Sequence, residues 1–396
     1  MPRRIMVMIF MLVILTVPLW GQEVTLRRAA PAEAGMSEAV LREGVRLFAE
    51  GVEKGQLQGV VLLVARDGKV VLHEAVGWRH KEEKLPMEID TMFRMASNTK
   101  ATVATSVAIL ADEGKLSFND NVRKYFDSFD NYRSGYIKIR HLLSHTSGFR
   151  IEPIFLSPLV QKSEKYFNAP CLLAEVDRFG AIGADEVPGT SYSYSNPGYN
   201  TLGGLVEKVS GKLFEDFVKE RVYEPLGMTD SYNHEVAEKL DGKLGRMGAV
   251  YSRGRGGEWR VAWQPGDEPD YPFVRGSGGM ISTAWDYAIF CQMFLNGGIY
   301  DGKRILKPET AKEMTSPQTM GIYAPEELAK VNTFYGFGWE IKRNGEFSHG
   351  GSDGTWAWVD PNRKIIGLIF TQSRGAGFGR QKFKELVEAA IMDDIN

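Results

Sequence analysis

A serine and a lysine that could act together stand three residues apart, at Ser97 and Lys100 in the tetrapeptide Ser-Asn-Thr-Lys. The apolar-periodic run from Ala101 to Leu110 follows them, which predicts that they occupy the first turn of a buried helix. At this spacing both side chains lie on one helix face and can touch. The helix dipole stabilises an oxyanion here and disfavours an ammonium, so the lysine could activate the serine as a nucleophile.

A Ser-x-x-Lys match alone carries little weight. It occurs about once by chance in a chain of this length, and the alternative is an N-cap serine followed by a surface lysine. Partners are therefore required, and two further segments offer them. Tyr194 and Asn196 stand in a loop bracketed by Gly and Pro, which can present side chains to a cleft. His349, Gly350 and Gly351 follow a predicted strand whose N–H groups could face a ligand.

The apolar patterns predict elements that would position these residues. Periodicity predicts a helix from Ser37 to Glu53, and two β-rich runs flank an Asp-Gly turn at Asp67, which predicts a hairpin. A mostly helical stretch follows to about residue 250, and residues 252–270 are poorly patterned. Four strands are predicted at 336–341, 345–348, 355–359 and 364–370, before a last helix at 382–392.

This order predicts an α+β fold, in which an antiparallel sheet is built from both ends of the chain, flanked by helices, and interrupted by an inserted helical lobe. The sheet lobe would take residues of about 22–95 and 255–396, and the helical lobe about 97–250. Together they would form one hydrolase domain from residue 22 to residue 396.

The three segments in this order resemble the serine β-lactamase and penicillin-binding-protein superfamily, on the side of class C β-lactamases, D-Ala-D-Ala carboxypeptidases and related esterases. The resemblance extends over nearly the whole chain after the leader. It includes four more stretches: His141–Gly148, Pro188–Asn196, Glu224–Met228 and Gly278–Thr283. It implies a sheet covered by helices on both faces, with the site in the groove beside the helical lobe.

The resemblance also implies a role for each matching residue. Ser97 would form the acyl-enzyme, and Lys100 would keep the Ser97 hydroxyl and the Tyr194 phenol easily deprotonated. Tyr194 would take the proton from Ser97 and later deliver it to the leaving group. Asn196 would bind Lys100 and a substrate carbonyl. The backbone N–H groups of Ser97 and Ser352 would form the oxyanion hole.

His349 departs from the Lys-Thr-Gly motif that most β-lactamases carry. A neutral imidazole holds a substrate carboxylate less well than a lysine does, so we expect short uncharged esters to be hydrolysed better than β-lactams. If carboxylates are nevertheless bound, Arg374 just past the last predicted strand is the candidate cation.

The sequence thus favours a serine hydrolase that cleaves ester or small amide bonds through an acyl-enzyme. One alternative is a D-Ala-D-Ala carboxypeptidase or β-lactamase, and another is a non-catalytic binding or assembly protein on the same scaffold. The run from Gly350 to Gly354 also satisfies Gly-x-Ser-x-Gly, the nucleophile elbow of α/β-hydrolases. We reject that reading because a strand pattern follows Ser352 and no histidine occurs after His349.

Charge and the remaining motifs narrow the partners to a small-molecule ester, amide or peptide. The net charge of -2 comes from interleaved acids and bases, which argues against nucleic acid. No cofactor or metal is expected: His141 and His145 lack an accompanying carboxylate motif. The glycine-rich run 276–279 is interpreted as an ordinary helix-entry turn. Cys171 and Cys291 are interpreted as buried free thiols rather than a pair.

The N-terminus predicts export. Pro-Arg-Arg precedes an apolar run over residues 5–19, the pattern of a secretory signal, and the run is shorter than the ~20 residues of a membrane-spanning helix. Bulky Leu19 and Trp20 make a poor cleavage site. Residues 1–21 are therefore predicted to be a signal peptide or an uncleaved anchor that tethers a periplasmic or extracellular protein.

Overall fold

The computed structural model describes residues 23–392. The predicted signal peptide or anchor lies outside this range. No helix between residues 23 and 392 is long and apolar enough to cross a membrane.

The described chain forms one large sheet and several two-stranded pairs. The strands are β1 Arg27–Arg28, β2 Gly59–Arg66, β3 Lys69–His80, β4 Leu85–Pro86, β5 Phe93–Arg94, β6 Val250–Arg253, β7 Trp259–Trp263, β8 Ile281–Ser282, β9 Ile299–Tyr300, β10 Lys303–Arg304, β11 Thr333–Tyr335, β12 Glu340–Lys342, β13 Phe347–Gly350, β14 Trp356–Asp360 and β15 Ile365–Phe370. The large sheet has the order β1-β3-β2-β15-β14-β13-β12-β11, with β4 paired to β3.

The two ends of the chain meet in the middle of this sheet. β2 pairs antiparallel with β15, so that Val61 lies opposite Phe370 and Arg66 opposite Ile365. The predicted hairpin is confirmed as β2 and β3. All pairings in the large sheet are antiparallel except that of the two-residue β1 with β3, which is parallel. The predicted α+β class is confirmed with this one difference.

Helices cover both faces of the sheet. They are α1 Glu38–Glu53, α2 Thr99–Asp112, α3 Ile139–Leu143, α4 Leu172–Ile182, α5 Asn196–Ser210, α6 Phe214–Val218, α7 Glu224–Leu226, α8 Ala284–Leu295, α9 Pro308–Met314, α10 Pro325–Leu328 and α11 Arg380–Ala389. Alternate residues of β2 enter different cores: Val60 and Leu62 pack with α1 and α11, and Val61 and Leu63 pack with α2 and α8. A strand buried on both faces has the continuous apolar run seen here.

Helix α2 carries the site and lies inside the protein. Every residue from Thr99 to Leu110 is buried, and a helix apolar on all sides is a core helix. α2 contacts α5 and α6, and described residues between β5 and β6 form helices and turns without a strand. The predicted helical stretch after Ser97 is therefore confirmed.

The structure corrects three boundaries. The predicted strand from Gly336 begins only at Glu340, because Gly338 adopts φ +83° and a Cβ there would lie 2.8 Å from the Cα of Ala101. The poorly patterned stretch 252–270 contains β7 and the end of β6, which form a hairpin of strands only four and five residues long. The last helix ends at Ala389 rather than at residue 392.

Cys171 and Cys291 are buried and unpaired, as expected.

Candidate active site

Ser97 lies in a single helical turn that leads into α2. The preceding Ala96 has φ +44°, a left-handed conformation that is uncommon for a residue with a side chain. The turn is held by Thr99, whose hydroxyl donates to the Ala96 carbonyl at 2.6 Å and accepts the N–H groups of Gly279 at 3.1 Å and Met280 at 3.0 Å. Backbone strain beside a half-buried serine is typical of an active site.

Lys100 is completely buried and has oxygen atoms as its partners. Its Nζ lies 3.0 Å from Ser97 Oγ, 2.9 Å from Asn196 Oδ1 and 2.7 Å from the carbonyl oxygen of Ser277. Among the described residues no carboxylate pairs with this amine. Burial lowers the pKa of Lys100 well below its usual value, and the positive charge of Arg275 lowers it further. A neutral amine in this place can accept the proton of Ser97.

Tyr194 completes the group around the amine. The centre of its ring lies 4.7 Å from Lys100 Nζ. Burial raises the pKa of Tyr194 above its usual value; a hydrogen bond with Ser97 opposes this, and the carboxylate of Glu340 adds to it. The phenol is therefore protonated at neutral pH and serves as a donor until a partner takes its proton. Its neighbour Tyr192 packs edge-on against His145.

His145 supports the loop that carries Tyr194, a role that the sequence did not reveal. Its Nδ1 accepts the N–H of Ser195 at 3.0 Å, and its carbonyl oxygen accepts the N–H of Ser193 at 2.8 Å. Its ring centre lies 4.2 Å from that of Tyr194. His141 likewise accepts a backbone N–H, that of Lys138. Each histidine thus uses one ring nitrogen to accept a backbone N–H. No group of three potential metal ligands lies between residues 23 and 392.

The end of β13 is pressed against the turn that carries Ser97. A Cβ on Gly351 would lie 2.4 Å from the Met95 carbonyl oxygen and 2.4 Å from Thr355 Oγ1. Thr355 in turn donates to Met95 O at 3.2 Å and accepts from Asn98 Nδ2 at 2.8 Å. The next residue, Ser352, lines the same cavity as Ser97, and its N–H donates to no acceptor in the described chain.

His349 is buried and fully engaged by the protein. Its Nδ1 lies 2.9 Å from the Gly350 carbonyl oxygen, which can only accept, so Nδ1 carries the proton. Its Nε2 lies 2.9 Å from the Tyr335 hydroxyl and accepts from it. Burial and the nearby Lys100 lower the pKa of His349 to about 3, which keeps the ring neutral. His349 therefore fixes the end of β13.

Ser97 opens onto a cavity of about 520 Å³. Tyr194, Asn196 and Ser352 line it with Ser97, whereas His349 does not. Its other lining residues are Arg94, Ala96, Ile154, Asp270, Tyr271, Arg275, Ser277, Gly278, Asp353 and Arg374.

The glycine-rich run 276–279 contributes to the site instead of forming only a helix-entry turn. Gly276 is pressed against α5, since a Cβ there would lie 2.2 Å from the Tyr199 carbonyl oxygen. The N–H of Ser277 donates to Asn200 Oδ1 at 2.9 Å, and its carbonyl oxygen accepts from Lys100. No sequence pattern indicates this contact, because a backbone acceptor has no residue signature.

A model of the family described as Beta-lactamase matches residues 45–391. The chain belongs to the beta-lactamase family. This family is one of serine hydrolases, which includes the penicillin-binding proteins, and the resemblance read from the motifs is confirmed. The short turn, the buried lysine and the cavity described above are thus those of a beta-lactamase family member.

Relatives and solved structures agree with this assignment. A protein of Escherichia coli (strain K12) that is predicted to be a D-alanyl-D-alanine carboxypeptidase is 26% identical over 92% of this chain and 89% of its own. The structure of EstCE1, a hydrolase with promiscuous acyltransferase activity, has a TM-score of 0.72 at 21% identity and covers 90% of this chain and 99% of its own. The structure of the octameric penicillin-binding protein homologue from Pyrococcus abyssi has a TM-score of 0.68 at 24% identity and covers 89% of this chain and 76% of its own.

Proposed function

We propose that this beta-lactamase family protein hydrolyses ester or small amide bonds through an acyl-enzyme formed on Ser97. The observation that carries the proposal is the environment of Lys100: a buried amine, without a carboxylate partner in the described chain, that contacts Ser97 Oγ. Such an amine is held near the neutral state, in which it can remove a proton from the serine hydroxyl.

The reaction divides among the residues of the site. Ser97 Oγ attacks the carbonyl carbon while its proton passes to Lys100 Nζ, directly or through the Tyr194 hydroxyl. The N–H groups of Ser97 and Ser352 stabilise the oxyanion, and Asn196 orients Lys100 through its side-chain oxygen. Tyr194 returns a proton to the leaving group, and the same groups activate water for deacylation.

A fluorophosphonate tests the nucleophile directly. The phosphonyl adduct should map to the peptide that contains Ser97, and Ser97→Ala should remain unlabelled. Ser352→Ala is the matched control, since it removes another serine hydroxyl from the same cavity and should still be labelled. Labelling that persists in Ser97→Ala and disappears in Ser352→Ala would disprove the assignment.

The second candidate is a D-Ala-D-Ala carboxypeptidase or β-lactamase. The name of the Escherichia coli relative favours it. Labelled penicillin and a peptide ending in D-Ala-D-Ala distinguish this candidate from an esterase when their kcat/KM values are compared with those of p-nitrophenyl acetate and butyrate. A protein that turns over none of these and takes no label would instead be a binding or assembly protein on this scaffold.

We also propose that the protein is exported, on the strength of the basic and apolar pattern of residues 1–21. Cell fractionation tests this, and N-terminal sequencing of the exported protein distinguishes a cleaved signal from a retained anchor.

A further inference from the structure

Four buried rings pack together beside Tyr194 without lining the cavity at Ser97. They belong to His145, Tyr199, Tyr335 and His349, each at most 2% exposed. The ring centre of Tyr335 lies 4.5 Å from that of His145 and 6.5 Å from that of Tyr194. Its hydroxyl reaches His349. Tyr335 therefore joins the loop that carries Tyr194 to the end of β13.

The backbone of Tyr335 is held on both sides. Its N–H donates to Thr319 Oγ1 at 3.0 Å, and its carbonyl oxygen accepts the N–H of Gln318 at 2.8 Å. β11 also pairs with β12, where Tyr335 lies opposite Glu340. The tyrosine thus presents its hydroxyl from a fixed strand, so a hydrogen bond from it can hold a partner in place.

The hydroxyl of Tyr335 determines which nitrogen of His349 carries the proton. It lies 2.9 Å from Nε2 and donates to it, so the single proton of the neutral ring stays on Nδ1. That proton is donated to the Gly350 carbonyl oxygen at 2.9 Å. The neighbouring Tyr199 hydroxyl is engaged elsewhere, since it donates to the Leu143 carbonyl oxygen at 2.6 Å. Without the Tyr335 hydroxyl, a proton on Nε2 would leave two lone pairs facing each other at Gly350.

The imidazole in turn holds one peptide group. The carbonyl oxygen of Gly350 accepts from His349. The N–H of the same peptide, that of Gly351, donates to the Thr355 carbonyl oxygen at 2.8 Å. Glycines have more backbone freedom than other residues, so two hydrogen bonds are needed to keep one orientation here. The next N–H is that of Ser352, a cavity residue, and it donates to no acceptor in the described chain.

We propose that Tyr335 is a positioning residue whose hydroxyl fixes the tautomer of His349. Through the Gly350–Gly351 peptide, this tautomer aims the N–H of Ser352 at the substrate carbonyl. The inference rests on the proposed function, since that N–H is one of the two assigned to the oxyanion. Such a donor stabilises the oxyanion only when it points at the place of the oxygen in the transition state. Tyr335 does not line the cavity and acts only through its neighbours.

Tyr335→Phe removes a single oxygen atom and tests the role in catalysis. Removing an oxyanion donor outright typically costs about a hundred- to a thousandfold in kcat, so misdirecting one should lower kcat for p-nitrophenyl butyrate about ten- to hundredfold. KM should stay within about threefold, because the hydrogen bond to the oxyanion forms fully only in the transition state.

Tyr223→Phe is the matched control. Tyr223 is 1% exposed, and its hydroxyl donates to Asn233 Oδ1 at 2.9 Å, outside the group of rings beside Tyr194. The variant loses a buried hydrogen bond, as Tyr335→Phe does, and should leave kcat within about threefold of the wild-type value. Equal losses of kcat in the two variants would reduce Tyr335 to a structural residue and refute the proposal.

The tautomer can be measured without any substrate. Nitrogen NMR spectra of the histidine-labelled wild type at neutral pH should show the His349 proton on Nδ1, with the signals assigned by their loss in His349→Asn. Tyr335→Phe should move this proton wholly or partly to Nε2 and shift the amide signal of Ser352, whereas Tyr223→Phe should change neither. A wild type with the proton on Nε2 would overturn the proposal even if no variant folds.

A double mutant shows whether Tyr335 acts through His349. In a His349→Asn background, which has no Nε2 to accept the phenol's hydrogen bond, Tyr335→Phe should change kcat by no more than about threefold. The same loss in both backgrounds would mean that Tyr335 acts on another group, which contradicts the proposal.

Failure of the positioning role and failure of the proposed function give different results. If the wild type hydrolyses esters and Tyr335→Phe keeps its kcat, or loses it without a change of tautomer, the positioning role is refuted and the proposed function stands. If the wild type hydrolyses nothing, the proposed function fails, and the spectra still test the geometry. Unchanged His349 and Ser352 signals in Tyr335→Phe would then refute the positioning role as well.

Discussion

Adding one methyl group at Gly351 should separate β13 from the turn that carries Ser97. The Cβ of Gly351→Ala would lie 2.4 Å from both the Met95 carbonyl oxygen and Thr355 Oγ1, so each contact must lengthen by about 0.6 Å even to reach 3.0 Å. These two atoms belong to the hydrogen bonds that join the loop after β13 to the turn before α2. The methyl group therefore acts on the position of Ser97 relative to the N–H of Ser352.

The expected cost follows from those contacts. Overpacking a buried site costs about 1–3 kcal/mol, and a buried hydrogen bond left unmade adds about 1–3 kcal/mol. A misplacement approaching 1 Å in a catalytic group can cost about a hundredfold in rate. Gly351→Ala should accordingly lower the free energy of unfolding by roughly 2–6 kcal/mol and kcat for p-nitrophenyl butyrate by about a hundredfold.

Gly350→Ala is the matched control from the adjacent position. Its Cβ would meet its nearest atoms, in Trp356, Thr355 and Arg380, at 3.6–3.8 Å, which is ordinary van der Waals contact. Urea unfolding, ester kinetics and the rate of fluorophosphonate labelling should be measured for both variants. Equal effects at the two positions, or a Gly351→Ala enzyme with wild-type kcat, would show that the close approach at Met95 does not set the geometry of the site.

Three further outcomes are expected. Tyr194→Phe should lower kcat by about a hundredfold or more, because it removes the hydroxyl of a ring whose centre lies 4.7 Å from Lys100 Nζ, whereas Tyr192→Phe should leave kcat within a few-fold. Equal losses in steady-state ester assays would mean that Tyr194 is not the proton carrier. The kcat/KM of the wild type should fall as the pH drops through the lowered pKa of Lys100, because only the neutral amine accepts a proton. A pH–rate profile whose acid limb lies near ~10, the ordinary pKa of a lysine, would contradict this. His145→Leu should destabilise the fold by about 1–3 kcal/mol and also lower kcat, since the N–H of Ser195, next to Tyr194, loses its acceptor. His141→Leu should lower stability without a comparable loss of kcat, and thermal unfolding and ester kinetics of both variants test this.

Local features of the fold and site were predictable because they depend on neighbours in sequence. The spacing of Ser97 and Lys100 placed them on one helix face, and the structure has them in contact at 3.0 Å. The Asp-Gly turn specified the hairpin of β2 and β3, and the run of apolar residues at both chain ends gave the sheet. The β6–β7 hairpin escaped prediction because its strands are only four and five residues long and the apolar Ala262 stands at an exposed position.

Contacts between distant segments were decided only by tertiary packing. The motif order suggested that Asn196 belongs with Lys100, but the 2.9 Å contact spans 96 residues and depends on how α5 lies against α2. His349 was expected at the ligand on the basis of its motif; its hydrogen bond to Tyr335 gives it an internal partner that no local pattern encodes.

The sequence by itself determined the family and the fold class, and it placed Ser97 beside Lys100, because hydrophobic periodicity and short spacings are local properties of the chain. Only the tertiary structure decided which charges remain available. Arg94, Arg275 and Arg374 have the same side chain, and Arg275 differs from the others because the carboxylates of Asp270 and Asp353 pack against its neighbours. The strength of a charge depends on burial and on what lies within a few ångströms, and both are set by the folded chain.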